Sequence, residues 1–188
     1  MYDVIVIGGG PTGSSAALFT SKAGKKTLVI DNGKSVTKRA WMDNHYGVDG
    51  ISGPDMIEIG KKQAVKFGAE WVTGEVTDIK SGDNKHTLIT EDGQTYEAAH
   101  VVLATGMSVQ VAEKAGMKTV PGTEPRIKSI IAVDQQGKTN VEGIWAAGTV
   151  AGVSMHTIIT AGDGAKVAIN LISELNGERY VDHDVLKA

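Results

Sequence analysis

Three glycines near the amino terminus have the spacing of a phosphate-binding turn. Gly8-x-Gly10-x-x-Gly13 follows an apolar run at residues 2–7, and Pro11 suits the first turn of a helix. The first glycine permits a tight bend, the second lets a pyrophosphate approach the backbone, and the third lets the helix pack on the strand. The helix N-terminus attracts the phosphate charge. The motif predicts a bound dinucleotide; a tight turn without a ligand is the alternative.

A carboxylate at the end of the next apolar run extends this pattern. Asp31 closes residues 26–31 and lies 18 positions after Gly13. Its carboxylate can accept hydrogen bonds from both hydroxyls of an adenosine ribose and would repel a ribose 2′-phosphate. Asn32, which follows directly, is assigned to the same site. The glycines and Asp31 do not by themselves distinguish FAD from NAD.

The elements that must position these residues begin with a β-α-β unit. Residues 2–7 and 26–31 are predicted as buried parallel strands joined by a right-handed crossover through a helix that ends near residue 23. Residues 32–52 are predicted to be irregular. Ser52 is predicted to cap a helix over residues 54–67.

The rest of the chain alternates short strands and turns before a last helix. Predicted strands cover residues 69–73, an antiparallel meander at 75–80, 86–91 and 94–98, a buried strand at 100–104, and strands at 127–133 and 143–147. A helix is predicted over residues 157–175, with a polar tail at 177–188. Its predicted apolar stripe consists of Ile158, Ala161, Ala165, Ala168, Ile172 and Leu175. This order predicts an α/β fold.

Composition narrows the function classes. The 188 residues carry a net charge of −3 and no cysteine. The mixed charge argues against nucleic acid as a partner, and no apolar run is long enough to predict a membrane span. The absence of cysteine excludes thiolate metal sites, thiol nucleophiles and a dithiol relay within these residues. With no basic stretch at its start, the chain is expected to be a cytoplasmic protein.

Four segments resemble flavoproteins of the low-molecular-weight thioredoxin reductase type. They are residues 3–13, residues 43–47 with 51–56, residues 101–106 (Val-Val-Leu-Ala-Thr-Gly), and residues 143–149 (Gly-Ile-Trp-Ala-Ala-Gly-Thr) leading into 160–164. The last two are the most specific, because a second glycine turn aimed at the ligand suits FAD better than NAD. The resemblance implies one Rossmann-like FAD-binding domain over residues 1–188, and dimerisation through the meander or the helix at 54–67.

The resemblance also implies a role for each matching position. The pyrophosphate would be held by Gly8, Gly10, Pro11, Thr12 and Gly13, the ribose by Asp31, and the adenine by the backbone of Val76. Ala104, Thr105 and Gly106 would line the adenosine side, Asn44 would lie near the flavin, Gly148 and Thr149 would face the ribityl chain, and His156 and Thr157 would face the pyrimidine edge.

Several positions depart from that family. Gly106 and Gly143 are only 37 positions apart, where the family inserts an NADPH domain, and the family's redox dithiol is absent. Both departures argue against thioredoxin reductase activity. Thr149 stands where the family has Asp. A neutral acceptor contributes ~0.5–1.5 kcal/mol against ~1.5–3 for a charged one, so FAD binding roughly tenfold weaker is expected.

Other side chains have alternative interpretations. His156 either stabilises reduced flavin or only holds FAD by a hydrogen bond. His45 and Tyr46 either line the flavin or pack their loop, and Trp41 either covers the ring or anchors the loop. The triplet at residues 182–184 has metal-like spacing but suits a solvated tail.

The sequence therefore predicts an FAD-binding oxidoreductase. Its electron donor would be a diffusing small molecule, nicotinamide without a dedicated domain, or a redox partner protein. A non-catalytic FAD-binding module and an NAD-binding protein are the alternatives.

Overall fold

The computed structural model describes residues 1–186, and its amino-terminal part is the β-α-β unit that the sequence predicts. Strand β1 (Tyr2–Ile7), helix α1 (Pro11–Lys22) and strand β2 (Thr27–Asp31) follow one another, and the two strands pair in parallel. Strand β5 (Glu70–Thr73) adds in parallel to the outer side of β2, as predicted. The carboxyl ends of these strands therefore lie at one edge of the sheet.

The meander joins the parallel sheet through one long strand. Strands β6 (Val76–Gly82) and β7 (Lys85–Thr90) are antiparallel, as predicted, but the strands predicted at 94–98 and 100–104 are a single strand, β8 (Thr95–Leu103). Its first half pairs with β7 and its second half with β1 and β11 (Ile144–Ala146). The apolar pattern changes along β8 because its neighbouring strands change. In the sequence, this change of pattern looks like the boundary between two strands.

The sheet has a different cover on each face. The main path is β5-β2-β1-β8-β7-β6, with β11 beside β8. Along β1, Val4 and Val6 pack toward α1, α2 (Gly53–Lys66) and α4 (Thr157–Asn176). Ile5 and Ile7 pack on the other face, with the meander and residues of the 107–142 segment. This alternation follows from the two-residue period of a strand.

The segment predicted to be irregular contains short elements. Residues Val36–Arg39 form a 3₁₀ turn, and β3 (Trp41–Met42) pairs with β4 (Ile51–Ser52). Ser52 caps α2 as predicted: its Oγ accepts a hydrogen bond from Asp55 N–H at 3.2 Å.

Two elements between residues 107 and 142 have no counterpart in the sequence prediction. They are α3 (Gln110–Lys114) and β9 (Thr119–Pro121). The strand predicted at 127–133 is shorter, β10 (Ser129–Ile131), and pairs with β9 in a separate two-stranded sheet. Elements of three to five residues are too short for periodicity to identify.

Helix α4 lies where predicted, but its buried face differs from the predicted stripe. Ile158 is 40 % exposed. Ala168 and Ile172 of the predicted stripe are buried as predicted, and the other buried positions are Thr160, Asp163, Gly164, Val167 and Leu171. The first turns of α4 approach α1 so closely that a Cβ on Gly164 would lie 2.2 Å from Thr12 O. Small and polar residues fit this junction, and Ile158 turns outward.

The tail was predicted to be solvated, and this prediction is wrong for Asp182. Its carboxylate forms an ion pair with Lys22 and is 13 % exposed, while Asp184 pairs with the same lysine at 81 % exposure. The predicted tail extends to residue 188, and residues 187–188 lie outside the described part. Over residues 1–186 no three His, Cys, Asp or Glu side chains are grouped as metal ligands, and no helix there has the length and apolarity of a membrane span.

Candidate functional site

A cleft of about 550 Å³ opens at the carboxyl ends of β1, β2 and β8. This edge of a parallel sheet, between strands and helix N-termini, is where such folds bind ligands. Of the predicted site residues, the cleft is lined by Gly8, Gly10, Pro11, Thr12, Asp31, Asn32, Val76, Ala104, Thr105, Gly106 and Thr149. Gly13, Asn44, Gly148, His156 and Thr157 lie outside this lining.

The glycines of the first turn let the backbone pack closely and leave the start of α1 without a side-chain cap. Gly8 has φ +101°, and a Cβ there would lie 2.4 Å from Ala104 O. A Cβ on Gly13 would lie 1.8 Å from Gly8 O, so this glycine permits α1 to pack on the end of β1. Gly10 has an ordinary φ of −71° and precedes α1 without a side-chain cap. The N–H groups at the start of α1 are therefore available to an anion.

Asp31 is held by the turn it faces. Its Oδ1 accepts a hydrogen bond from Gly9 N–H at 3.0 Å. A Cβ on Gly9 would lie 2.3 Å from the Trp71 ring and 2.8 Å from Asp31 Cγ. Gly9 was not among the predicted site residues, although it is one of three consecutive glycines. Asp31 thus connects the glycine turn with the wall of the cleft.

An ion pair lines the cleft beside Asp31 and Val76. Lys34 Nζ donates to Glu75 Oε2 at 2.5 Å, and Lys34 N–H donates to Asn32 Oδ1 at 2.9 Å. The hydrogen bond to Glu75 raises the pKa of Lys34 above its ordinary value. This pair was missed by sequence reasoning because its partners are 41 positions apart.

A second glycine turn meets the first one. Gly148 has φ +78°, and a Cβ on it would lie 2.3 Å from Thr12 Oγ1. Gly148 N–H donates to Asp163 Oδ2 at 2.8 Å, and Thr149, 8 % exposed, lines the cleft directly after it. Asp163 was also missed; it is a charged residue on a helix face that the apolar stripe placed outside the core.

The residues predicted near the flavin surround the start of α4. His45 Nδ1 lies 3.0 Å from Thr157 Oγ1, which ties the loop at residues 43–50 to the helix. His156 is exposed, and its Nδ1 lies 2.8 Å from Ser154 Oγ. Asn44 is also exposed. Thr157 is thus brought together with His45, whereas Asn44 and His156 have solvent-facing side chains.

The aromatic residues of the same loop are exposed. Trp41 is 66 % exposed and donates its ring N–H to Asp43 Oδ1 at 3.0 Å. Tyr46 is 92 % exposed. Neither side chain packs into the core, so the interpretation of Trp41 as a partly buried loop anchor is not supported.

Comparison with known proteins agrees with this geometry. The family described as pyridine nucleotide-disulphide oxidoreductase matches residues 2–129 and, in an overlapping match, residues 52–165. A thioredoxin reductase from Listeria monocytogenes is 36 % identical over 125 residues, which cover 65 % of this chain and 39 % of that protein. A thioredoxin reductase from Aquifex aeolicus is 40 % identical over 114 residues, covering 56 % and 34 %.

Solved structures show the same fold. An atypical thioredoxin reductase from Desulfovibrio vulgaris Hildenborough has a TM-score of 0.77 at 21 % identity, and the match covers 95 % of this chain and 99 % of that one. An oxidoreductase from Agrobacterium tumefaciens has a TM-score of 0.82 at 18 % identity, covering 94 % and 99 %. The chain spans about two fifths of the length of the curated relatives it matches first.

Proposed function

Because the chain belongs to the pyridine nucleotide-disulphide oxidoreductase family, whose members are FAD-binding flavoproteins, we propose that it is an oxidoreductase that transfers electrons or a hydride through FAD in the cleft. One observation carries the proposal. Two glycine turns, at Gly8–Gly13 and at Gly148, meet at Thr12 beside the cleft. A long cofactor needs anchors at both of its halves, and these turns supply them.

The residues present fit FAD. The uncapped start of α1 and the bare backbone at Gly10 suit a pyrophosphate, whose charge the helix N-terminus stabilises. Asp31 at the cleft wall suits a ribose diol, and the backbone of Val76 suits the adenine. Gly148 and Thr149 are proposed to face the ribityl chain, and Thr157 with His45 the flavin end.

The protein and FAD would contribute different parts of the chemistry. FAD supplies the redox chemistry when bound, and the protein supplies binding, orientation and electrostatics. Thr12, Thr149 and Thr160 contribute hydroxyl groups to the cleft lining, which also includes the charged side chains of Asp31, Lys34 and Glu75. These residues would bind and orient FAD, whereas His156 is exposed, with its Nδ1 2.8 Å from Ser154 Oγ, and lies outside this lining.

The electron donor is proposed to come from outside these residues. The segment between Gly106 and Gly143 contains only α3, β9 and β10, so no nicotinamide domain is inserted there. We propose a diffusing small molecule, nicotinamide bound without a dedicated domain, or a redox partner protein. Since the chain has no cysteine, we also propose that it does not reduce thioredoxin through a dithiol of its own.

Domain organisation and assembly belong to the same proposal. Residues 1–188 would act as one FAD-binding domain, with a homodimer formed through the meander or α2. Light scattering after gel filtration, with and without added FAD, measures the assembly directly. A monomer under both conditions would contradict the dimer and leave the cofactor proposal unchanged.

The first experiment is a visible spectrum of the purified protein, followed by anaerobic addition of excess NADH and NADPH. Bands at about 375 and 450 nm, with FAD released by heat, are expected for an oxidised flavin. Bleaching would show that nicotinamide reduces the flavin directly. A stable yellow colour would favour a partner protein as donor, or the non-catalytic module. A colourless protein that takes up no added FAD would contradict the proposal.

A further inference from the structure

We infer that Asp163 is a positioning residue for the cofactor: its carboxylate sets the turn at Gly148 so that Thr149 faces the cleft. This inference rests on the proposed function. It starts from a charged side chain that the core encloses, since Asp163 is only 8 % exposed. A buried carboxylate is costly unless it is paired and hydrogen-bonded, so its partners indicate its role.

Both carboxylate oxygens of Asp163 have a partner. Oδ2 accepts from Gly148 N–H at 2.8 Å, and Oδ1 forms an ion pair with Lys166 one turn along α4. Lys166 is half exposed, so water screens its contribution. The bond to Gly148 is buried and charge-assisted, which makes it the stronger and more directional of the two.

The turn at Gly148 has a conformation that needs support. Gly148 has φ +78° and begins a 3₁₀ turn that extends to Ala151. Without Asp163 its buried N–H would lose its acceptor, and an unsatisfied buried donor destabilises the conformation that buries it. Asp163 therefore favours the turn that presents Thr149 to the cleft.

The same carboxylate connects the two glycine turns. The neighbouring Gly164 approaches Thr12 O, where a Cβ would lie 2.2 Å away, and Gly148 approaches Thr12 Oγ1. Asp163 thus holds the second turn against Thr12, in the first turn of α1.

The test compares FAD dissociation constants of three variants with the wild-type protein. Asp163→Ala removes the acceptor and is expected to weaken FAD binding about tenfold, which is about 1.4 kcal/mol. Asp163→Asn keeps an oxygen acceptor for the Gly148 N–H but loses the charge, so it is expected to bind FAD more tightly than Asp163→Ala. Lys166→Met is the matched control, since it removes the ion pair and keeps the Gly148 bond; no loss above about twofold is expected.

A second readout does not depend on FAD. Hydrogen exchange of the Gly148 amide in the apoprotein is expected to be slow in wild type, Asp163→Asn and Lys166→Met, and faster in Asp163→Ala. Should Asp163→Ala not fold, the wild-type and Asp163→Asn measurements decide. Fast exchange at Gly148 in wild type or in Asp163→Asn would overturn the inference.

The two proposals fail in different ways. If wild-type protein binds no FAD, the proposed function fails, while the amide measurement still tests the role of Asp163 in the turn. If wild type binds FAD and Asp163→Ala binds it equally well, the positioning role alone is wrong.

Discussion

Replacing Gly10 with alanine tests whether a pyrophosphate approaches the first glycine turn. Gly10 has φ −71°, which alanine adopts without strain, and the added Cβ would meet only Ser35 Oγ, at 3.1 Å. That hydroxyl must move by a few tenths of an ångström. Gly10 precedes α1, and alanine is a poorer residue there, so a loss of roughly 0.5–1 kcal/mol in unfolding free energy is expected.

The expected loss of FAD affinity is larger than this loss of stability. Gly10 and Ser35 both line the cleft, so the methyl group occupies space next to the N–H groups at the start of α1. A hydrogen bond to a charged group contributes ~1.5–3 kcal/mol, and each 1.4 kcal/mol is a factor of ten. Displacing the phosphate from one such bond should weaken FAD binding about 10- to 100-fold.

Gly162→Ala is the matched control. Gly162 is exposed within α4, and a Cβ there meets no atom within 4 Å. Alanine should raise the unfolding free energy by about 0.5–1 kcal/mol and leave the FAD dissociation constant unchanged. Titration of the apoproteins with FAD by flavin fluorescence, together with urea unfolding, measures both quantities. A folded Gly10→Ala variant that binds FAD as tightly as wild type would refute the assignment of the pyrophosphate to this turn.

Two further predictions concern buried charge. Thr149→Asp places a carboxylate next to Gly148, whose N–H Asp163 already accepts. The two like charges oppose each other, so we expect FAD binding to tighten by about tenfold only when Thr149→Asp is combined with Asp163→Asn. An equal gain in the single variant would show that the two positions are independent. Burial lowers the pKa of His86 and the pKa of His100 from the ordinary value of 6.5. The neighbouring His100 lowers the pKa of His86 further. The folded state then binds fewer protons than the unfolded state, so stability should fall as the pH drops below that ordinary value. Urea unfolding at about pH 7.5 and 5.5 should show this loss, and His86→Gln should reduce it; a pH-independent midpoint would contradict the argument.

The sequence by itself determined the elements that local chemistry controls. The apolar run at residues 2–7, the glycines after it and Asp31 predicted the β-α-β unit correctly, because a buried parallel strand and a glycine turn leave strong local patterns. Ser52 predicted the start of α2 for the same reason, since a capping side chain bonds within its own turn. The family match then confirmed FAD as the cofactor class.

Only the tertiary structure decided which distant residues meet. Strand β8 was predicted as two strands because a single sequence does not show that its neighbours change from β7 to β11 along its length. Asp163 was not predicted to be buried, because apolar periodicity considers only the apolar side chains of α4. Its burial depends on Gly148, 15 positions earlier, whose N–H donates to the Asp163 carboxylate. That N–H points at the carboxylate only once the turn has formed. Such long-range pairing is set by packing, which brings together side chains that have no local signal.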